Sequence, residues 1–452
     1  MGGSLGVDCA QYREKISFGA GCLDGDRRAS RDEAAELELE LERLRSQIQS
    51  LRERNAVLET AAGARGSGAA AVAAVSSGGI EAHDASPALA PKRQMTFGHG
   101  GLFRTPGRPV GATPRMSPQR MDQLVAEISA ECCPVGLLFP NQSRQLVGML
   151  SEVGRVPQAQ DLLRRASVEL GYDLERLCTT GPLSRLDETR ICQPAVYVAS
   201  LAAAERLRLE RPEALEQCQA VAGIGVGEYA ALQVAGVFSF ELGLRLVCLR
   251  AEEMHRASAV GEQQQLSLTG MELDRVRVLC EEARRACGED EVCSVAYAIA
   301  PKAHICAGTT VAARKLYALG RGQSSIDVRA DLLDTPQQLG YGAFQTRLME
   351  KAERQLRAAL MEALPSMRAP RCAVYFNSMG EALPAGAEPS LVVELLASQL
   401  TSTVLWEQTV RTMLREGVEE FVVCGPSTCS QLQDVMPAIS ADAERRTSAC
   451  SL

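Results

Sequence analysis

The stretch Cys218 to Gly236, CQAVAGIGVGEYAALQVAG, is the tightest constraint in the chain. Cys218 to Ala222 is a short apolar run of the kind that fills a buried strand, and it leads straight into the helix-forming run GEYAALQVAG. A second buried strand reads from Val135 to Phe139, while Gln160 to Leu170 and Ala195 to Leu207 carry helical periodicity. Apolar runs alternating with helical patterns from about Glu131 onward are the signature of an α/β domain. With 452 residues, 46% of them hydrophobic, the chain can bury a sizeable core, so one globular domain with appendages is expected.

Within that domain a smaller unit reads from Gln265 to Ala330. Its order is strand LSLTGM, helix DRVRVLCEEARRAC, strands VCSVAYA and HICAG, helix TTVAARKLYALG and strand SIDVRA. That βαββαβ order is the split pattern of a ferredoxin-like subdomain. The expected boundaries are a tail over 1–30, a coiled coil over 31–60, a linker over 61–130, the α/β domain over 131–445 and a C-terminal tail over 446–452.

Residues 31–60 place Ala34, Leu41, Ile48 and Asn55 at heptad position a and Leu37, Leu44, Leu51 and Leu58 at position d. Leucine at each d favours two parallel strands, Asn55 pairs only in register, and Glu40 with Arg45 and Arg54 with Glu59 suit the flanks. A homodimer through this segment is therefore expected. Asp24, Asp26, Asp32, Glu33 and Glu36 crowd the preceding stretch, which excludes a basic DNA-reading helix. Residues 61–120 are rich in Ala, Gly, Ser and Pro and mildly basic, the composition of a flexible linker. Its Ser-Pro and Thr-Pro steps at Ser86, Thr105, Thr113 and Ser117 are candidate phosphorylation sites.

The net charge of −8 offers no general attraction to nucleic acid, and no apolar run is long enough to span a membrane. The N-terminus lacks the apolar stretch of a secretory signal. The 16 cysteines form no CxxC pair and the histidines number four, a poor supply for zinc, so no metal and no cofactor is expected. Cys424 and Cys429 read as small packed side chains. Reduced thiols in a cytoplasmic compartment, organellar or not, fit this usage.

Colinear stretches from about residue 131 to 437 resemble the malonyl-CoA:acyl carrier protein transacylase family. LFPNQSRQLVGM (138–149) is similar to that family's opening FPGQGSQxxGM, and Gln193, Pro194 and Ala195 match its TQPA helix start. GIGVGE (223–228) stands where the family has GHSLGE, and Arg250 in LRLVCLRAEEM matches its RGxLM arginine. GAFQTRLME (342–350) stands for GAFHSRLME, and LTSTVLWEQTVRTM and FVVCGPSTC resemble the two closing segments.

The resemblance implies an α/β-hydrolase-like acyltransferase core with an inserted ferredoxin-like subdomain over 265–330. It also implies a chemistry in which an elbow serine attacks the malonyl thioester, a histidine takes its proton, and a glutamine with a backbone amide holds the oxyanion. Here the serine position is Gly225 and the histidine position Gln345, which have neither a nucleophile nor a neutral-range base to offer. Gly223 and Gly227 keep the close strand-to-helix packing, and glycine takes the turn at 225 readily. Ile224 makes the elbow more apolar, and Ile299, Ala300, Pro301, Lys302 and Ala303 replace the polar NSPxQ segment. Gln142 with the Val226 amide is the expected oxyanion pocket, flanked by Asn141 and Ser143 where the family has glycines. Arg250 is the expected partner of a malonyl carboxylate.

No Ser, Thr or Cys lies between Cys218 and Ser239 to replace the serine. His255 and His304 read as structural, and Thr346, which follows Gln345, has no evident base. The expected function is a catalytically silent homologue that binds acyl-CoA, a carrier protein or a protein partner. An active acyl carrier protein S-malonyltransferase and a ligand-free dimeric scaffold are the alternatives.

Overall fold

The computed structural model describes residues 134–142, 145–152, 155–323, 328–333, 342–426 and 430–451. The expected N-terminal tail, coiled coil, linker and phosphorylation sites lie outside the described residues.

In chain order the strands are β1 (Val135–Phe139), β2 (Cys218–Gly223), β3 (Gln263–Thr269), β4 (Cys293–Ala300), β5 (Ala303–Thr309) and β6 (Arg329–Leu333). They continue with β7 (Ala373–Phe376), β8 (Glu381–Leu383), β9 (Val404–Leu405), β10 (Glu420–Gly425) and β11 (Thr447–Ser451). The core sheet has the order β11-β10-β1-β2-β7-β8 and is parallel except for the β7–β8 pair. The strand β1 lies between β10 and β2 and is buried along its whole length, which is why VGLLF reads as an unbroken apolar run. The chain runs from β1 through β2 to β7 on one side and later fills the other side with β10 and β11. The strand order thus reverses at β1, and the carboxyl ends of β1 and β2 form the crevice where such sheets hold ligands.

The expected C-terminal tail is instead a strand. In β11, Thr447 to Ser451 pairs in register with Phe421 to Gly425 of β10, so the backbone that sequence polarity marks as a tail completes the edge of the sheet. The expected helix start at Gln193-Pro194-Ala195 is also corrected. The helix spans Thr189–Glu210 with Pro194 in its interior, and nearly every residue from Ile191 to Ala204 is buried. Packing on all sides holds the helix through a proline that local rules would place at its first turn.

The smaller unit has the strand order β6-β3-β5-β4-β9, with β3–β5, β3–β6 and β4–β5 antiparallel. Helices Leu273–Cys287 and Thr310–Arg321 supply Val276, Leu279 and Leu316 to a core shared with Leu266 and Leu268. Val404 and Leu405 of β9 pair in parallel with Tyr297 and Ala298 of β4, which joins the unit to the main chain path. Its limits, 263 to 333, lie slightly outside those read from the sequence. Among the described residues no helix is long and apolar enough to cross a membrane.

Candidate active site

Gly225 sits between the end of β2 at Gly223 and the helix Gly227–Val234, with φ +55°. That left-handed conformation costs an L side chain about 1–2 kcal/mol and costs glycine nothing. The neighbouring glycines are required by space instead. A β-carbon on Gly223 would lie 2.1 Å from the Gly227 carbonyl carbon, and one on Gly227 would lie 2.3 Å from the Phe139 carbonyl oxygen. The helix start is therefore pressed against β1 and β2, and the Gly225 turn projects at their carboxyl ends.

A buried web of side chains fixes that turn. Asn377, the residue after β7, accepts from the Gly225 N–H at 2.9 Å and donates through Nδ2 to the Gly223 carbonyl at 2.6 Å. Gln399, one residue beyond the helix Pro389–Ser398, donates to the Gly225 carbonyl at 2.8 Å. It also donates to Glu228, which accepts the Asn377 backbone N–H on its other oxygen. Glu228 is wholly buried, and that burial, partly offset by these bonds and by Arg250, pushes its carboxyl up to about 8.

Arg250, on the helix Phe240–Ser258, is 1% exposed. Its Nε and Nη2 donate to Gln399 Oε1 at 3.2 and 2.8 Å, and its Nη1 donates to Gln193 Oε1. Its guanidinium carbon lies 5.8 Å from the centre of the Tyr229 ring. Burial lowers its pKa from the free value, yet a guanidinium keeps its charge in proteins. Three of five N–H groups thus bind neutral amide oxygens, leaving one on each terminal nitrogen for a carboxylate.

The Val226 amide meets Asn141 rather than Gln142. Asn141 Oδ1 accepts the Val226 N–H at 3.4 Å, and its Nδ2 lies 3.3 Å from the Tyr297 hydroxyl on β4. The same Oδ1 is 2.3 Å from the place where a β-carbon on residue 225 would stand. Gln142 follows, buried, in the segment after β1.

Gln345 is 2% exposed and has φ +57°, a strained conformation for a residue with a side chain. Gln263 and Gln265 of β3 brace its loop by accepting the Ala343 N–H and donating to the Gly342 carbonyl. The Gln345 Oε1 is buried without a hydrogen-bond partner among the described residues. Ala343 packs in the same apolar cluster as Ile224, which brings this loop and the Gly225 turn to one core.

The other candidates have structural places. Thr346 donates to the Ala343 carbonyl at 2.6 Å and accepts the Leu348 N–H at 3.3 Å. His304 is buried on β5 with Nε2 3.0 Å from the Met271 carbonyl, and burial lowers its pKa. His255 shares the Arg250 helix, and Pro301 and Lys302 make the turn between β4 and β5. Among the described residues no group of three or more His, Cys, Asp or Glu side chains is placed to hold a metal ion.

A family model described as the acyl transferase domain matches residues 139–438, which contain every element of this site. The chain belongs to the acyl transferase family. Over 281 residues this acyltransferase-family protein is 38% identical to the human mitochondrial malonyl-CoA-acyl carrier protein transacylase, covering 61% of this chain and 69% of that one. It is 30% identical over 291 residues to the Haemophilus influenzae malonyl CoA-acyl carrier protein transacylase, covering 64% of this chain and 88% of that one. A solved acyl carrier protein S-malonyltransferase from Vibrio cholerae superposes with a TM-score of 0.62 at 29% identity, covering 70% of this chain and 97% of that one.

Sequence reasoning named Gly225, Val226, Gln345 and Arg250 in this acyltransferase fold but missed Asn377, Gln399 and Tyr297. Gln399 lies in the quoted closing segment's immediate neighbourhood, a signal that was available. Asn377 and Tyr297 stand 152 and 72 residues from Gly225 in the numbering, and only strand pairing brings them near.

Proposed function

We propose that this protein is a non-catalytic member of its family that binds a malonyl-CoA-type thioester, or the carrier protein that receives such a group, without forming an acyl-enzyme. The carrying observation is that Asn141 Oδ1 fills the space beside Gly225 where a nucleophilic side chain would begin, while it also caps the Val226 amide. Gly225 stands at the nucleophile position and Gln345 at the general-base position, so neither attack nor proton removal has a group to perform it. Gln142 and Val226 remain the oxyanion-pocket positions, open to a thioester oxygen once Asn141 swings away. Arg250, with a donor left on each terminal nitrogen, is the anchor for the malonyl carboxylate.

The pairing order of β3 to β6 supports reading the insertion as ferredoxin-like. The heptads at 31–60 support a homodimer that would present two such sites together. A compartment holding reduced thiols suits the cysteine usage, and the mitochondrial relatives favour an organellar one.

Two measurements on the full chain test this reading. Intact mass after incubation with malonyl-CoA should show no adduct, and a malonyl adduct that passes to carrier protein would establish the active S-malonyltransferase instead. Calorimetric titration with malonyl-CoA should show saturable binding that Arg250→Lys weakens about tenfold, near 1.4 kcal/mol, by losing the planar fork. No binding of malonyl-CoA or carrier protein would leave the ligand-free scaffold.

A further inference from the structure

At the amino-terminal ends of β2 and β7, the opposite end of these strands from the Gly225 turn, a cleft of about 400 Å³ is lined by Arg208, Cys218, Val234, Arg371 and Cys372 among others. Cys218 is the first residue of β2, and Cys372 immediately precedes β7. The strands pair in parallel with Ala220 opposite Ala373, which makes the two cysteines diagonal neighbours across the pair. Neighbouring strands lie about 4.8 Å apart, within the reach of a disulfide's α-carbons. Both cysteines line the same cleft, and the Cys218 S–H lies 3.5 Å from the Ala220 carbonyl. Both are partly exposed, whereas Cys178, Cys192, Cys248, Cys306 and Cys424 are buried.

We propose that Cys218 and Cys372 are a reactive dithiol that a hydroperoxide converts to a disulfide and a dithiol reductant restores. Cys372 is the attacking sulfur. The neighbouring Cys218 thiol and the Arg371 guanidinium hold its pKa below the ordinary thiol value, while Cys372 and burial raise that of Cys218. Arg371 is fixed there by its own bonds, Nη2 to the Val234 carbonyl at 2.7 Å and N–H to the Ala235 carbonyl at 2.9 Å.

In the first step the Cys372 sulfur takes an oxygen from the peroxide. The O–O bond breaks, the thiol proton leaves with the departing hydroxide as water, and Cys372 becomes a sulfenic acid. In the second step the Cys218 sulfur attacks that sulfur, the S–O bond breaks, and a second water carries away the hydroxide and the Cys218 proton. Two thiols are oxidised and one peroxide is reduced. The new bond would join, at their near ends, the two strands whose far ends carry Gly225 and Asn377.

The test is a peptide map of the full chain after one equivalent of hydrogen peroxide, alkylated and digested without reductant. A linked pair containing Cys218 and Cys372, lost on dithiothreitol treatment, is expected. In Cys218→Ser the resolving sulfur is gone and dimedone should label Cys372, while in Cys372→Ser it should label neither position. Both cysteines recovered alkylated after peroxide, or either found bonded to a different cysteine, would overturn the proposal. The wild-type map decides it whether or not either variant folds.

Discussion

At position 225 a β-carbon would lie 2.3 Å from Asn141 Oδ1, and the family resemblance places a glycine at 141 and a serine at 225. A side chain absent at one position is thus matched by a side chain present at the other, and the pair conserves filled volume beside the turn. Gly225→Ser alone should therefore lower stability by about 1–3 kcal/mol, from the left-handed backbone and the displaced Asn141. Adding Asn141→Gly should return part of that loss. Urea denaturation midpoints of the two variants would check it, and equal midpoints would show that Asn141 rotates away freely. Glu228 yields a second expectation. Its carboxyl titrates near 8 when folded against an ordinary value of 4.5, so between those values the folded chain holds a proton that the unfolded chain has released. Its contribution to stability is full below the ordinary value and is lost as pH rises through about 8. The melting temperature should fall between about pH 4.5 and pH 8, and the slope should flatten in Glu228→Gln. Below the ordinary value, where both states hold the proton, that variant should be less stable by about 1–3 kcal/mol, because an amide offers a single acceptor oxygen to Asn377 and Gln399.

Secondary-structure elements were legible where apolar runs are bounded on both sides. The strand β1 begins and ends where the sequence places it, and β2 differs by one residue. Periodicity placed a helix over Ala195–Leu207, but its start was misjudged, because the surrounding packing carries it back through Pro194 to Thr189. The strand β11 was invisible because TSACS is short and half polar, and its partner β10 supplies the hydrogen bonds that make it a strand. Ending the chain at Arg446 should remove that ladder and the buried Cys450, costing roughly 1–2 kcal/mol. A chemical denaturation midpoint indistinguishable from that of the full chain would show that β11 adds nothing to the folded state.

For the molecule as a whole, the heptads of 31–60 predict a parallel dimer whose register Asn55 sets. Light scattering of the full chain should give twice the mass of one chain, and a version lacking residues 1–60 should give the monomer. Equal association states would reject the heptad reading. Two sheets organise the rest, and β9 is where they meet, since it leaves the main domain to pair with β4 beside Tyr297. Through Tyr297 the smaller unit reaches Asn141 at the Gly225 turn, so the site is shared between both sheets.

By itself the sequence determined the α/β class, the chain order of strands and helices in the smaller unit, and the strand-to-helix turn at Gly225. Each of these is written in local pattern: apolar period, glycine spacing and the identity of single residues. Tertiary structure alone decided that Asn141 caps Val226, that Gln193 and Gln399 hold Arg250, and that Asn377 and Gln399 bury Glu228 with a raised pKa. Those contacts join residues tens to hundreds of positions apart. Hydrogen-bond geometry and desolvation depend on distances that close only when the sheets pair, and no local pattern along the chain encodes them.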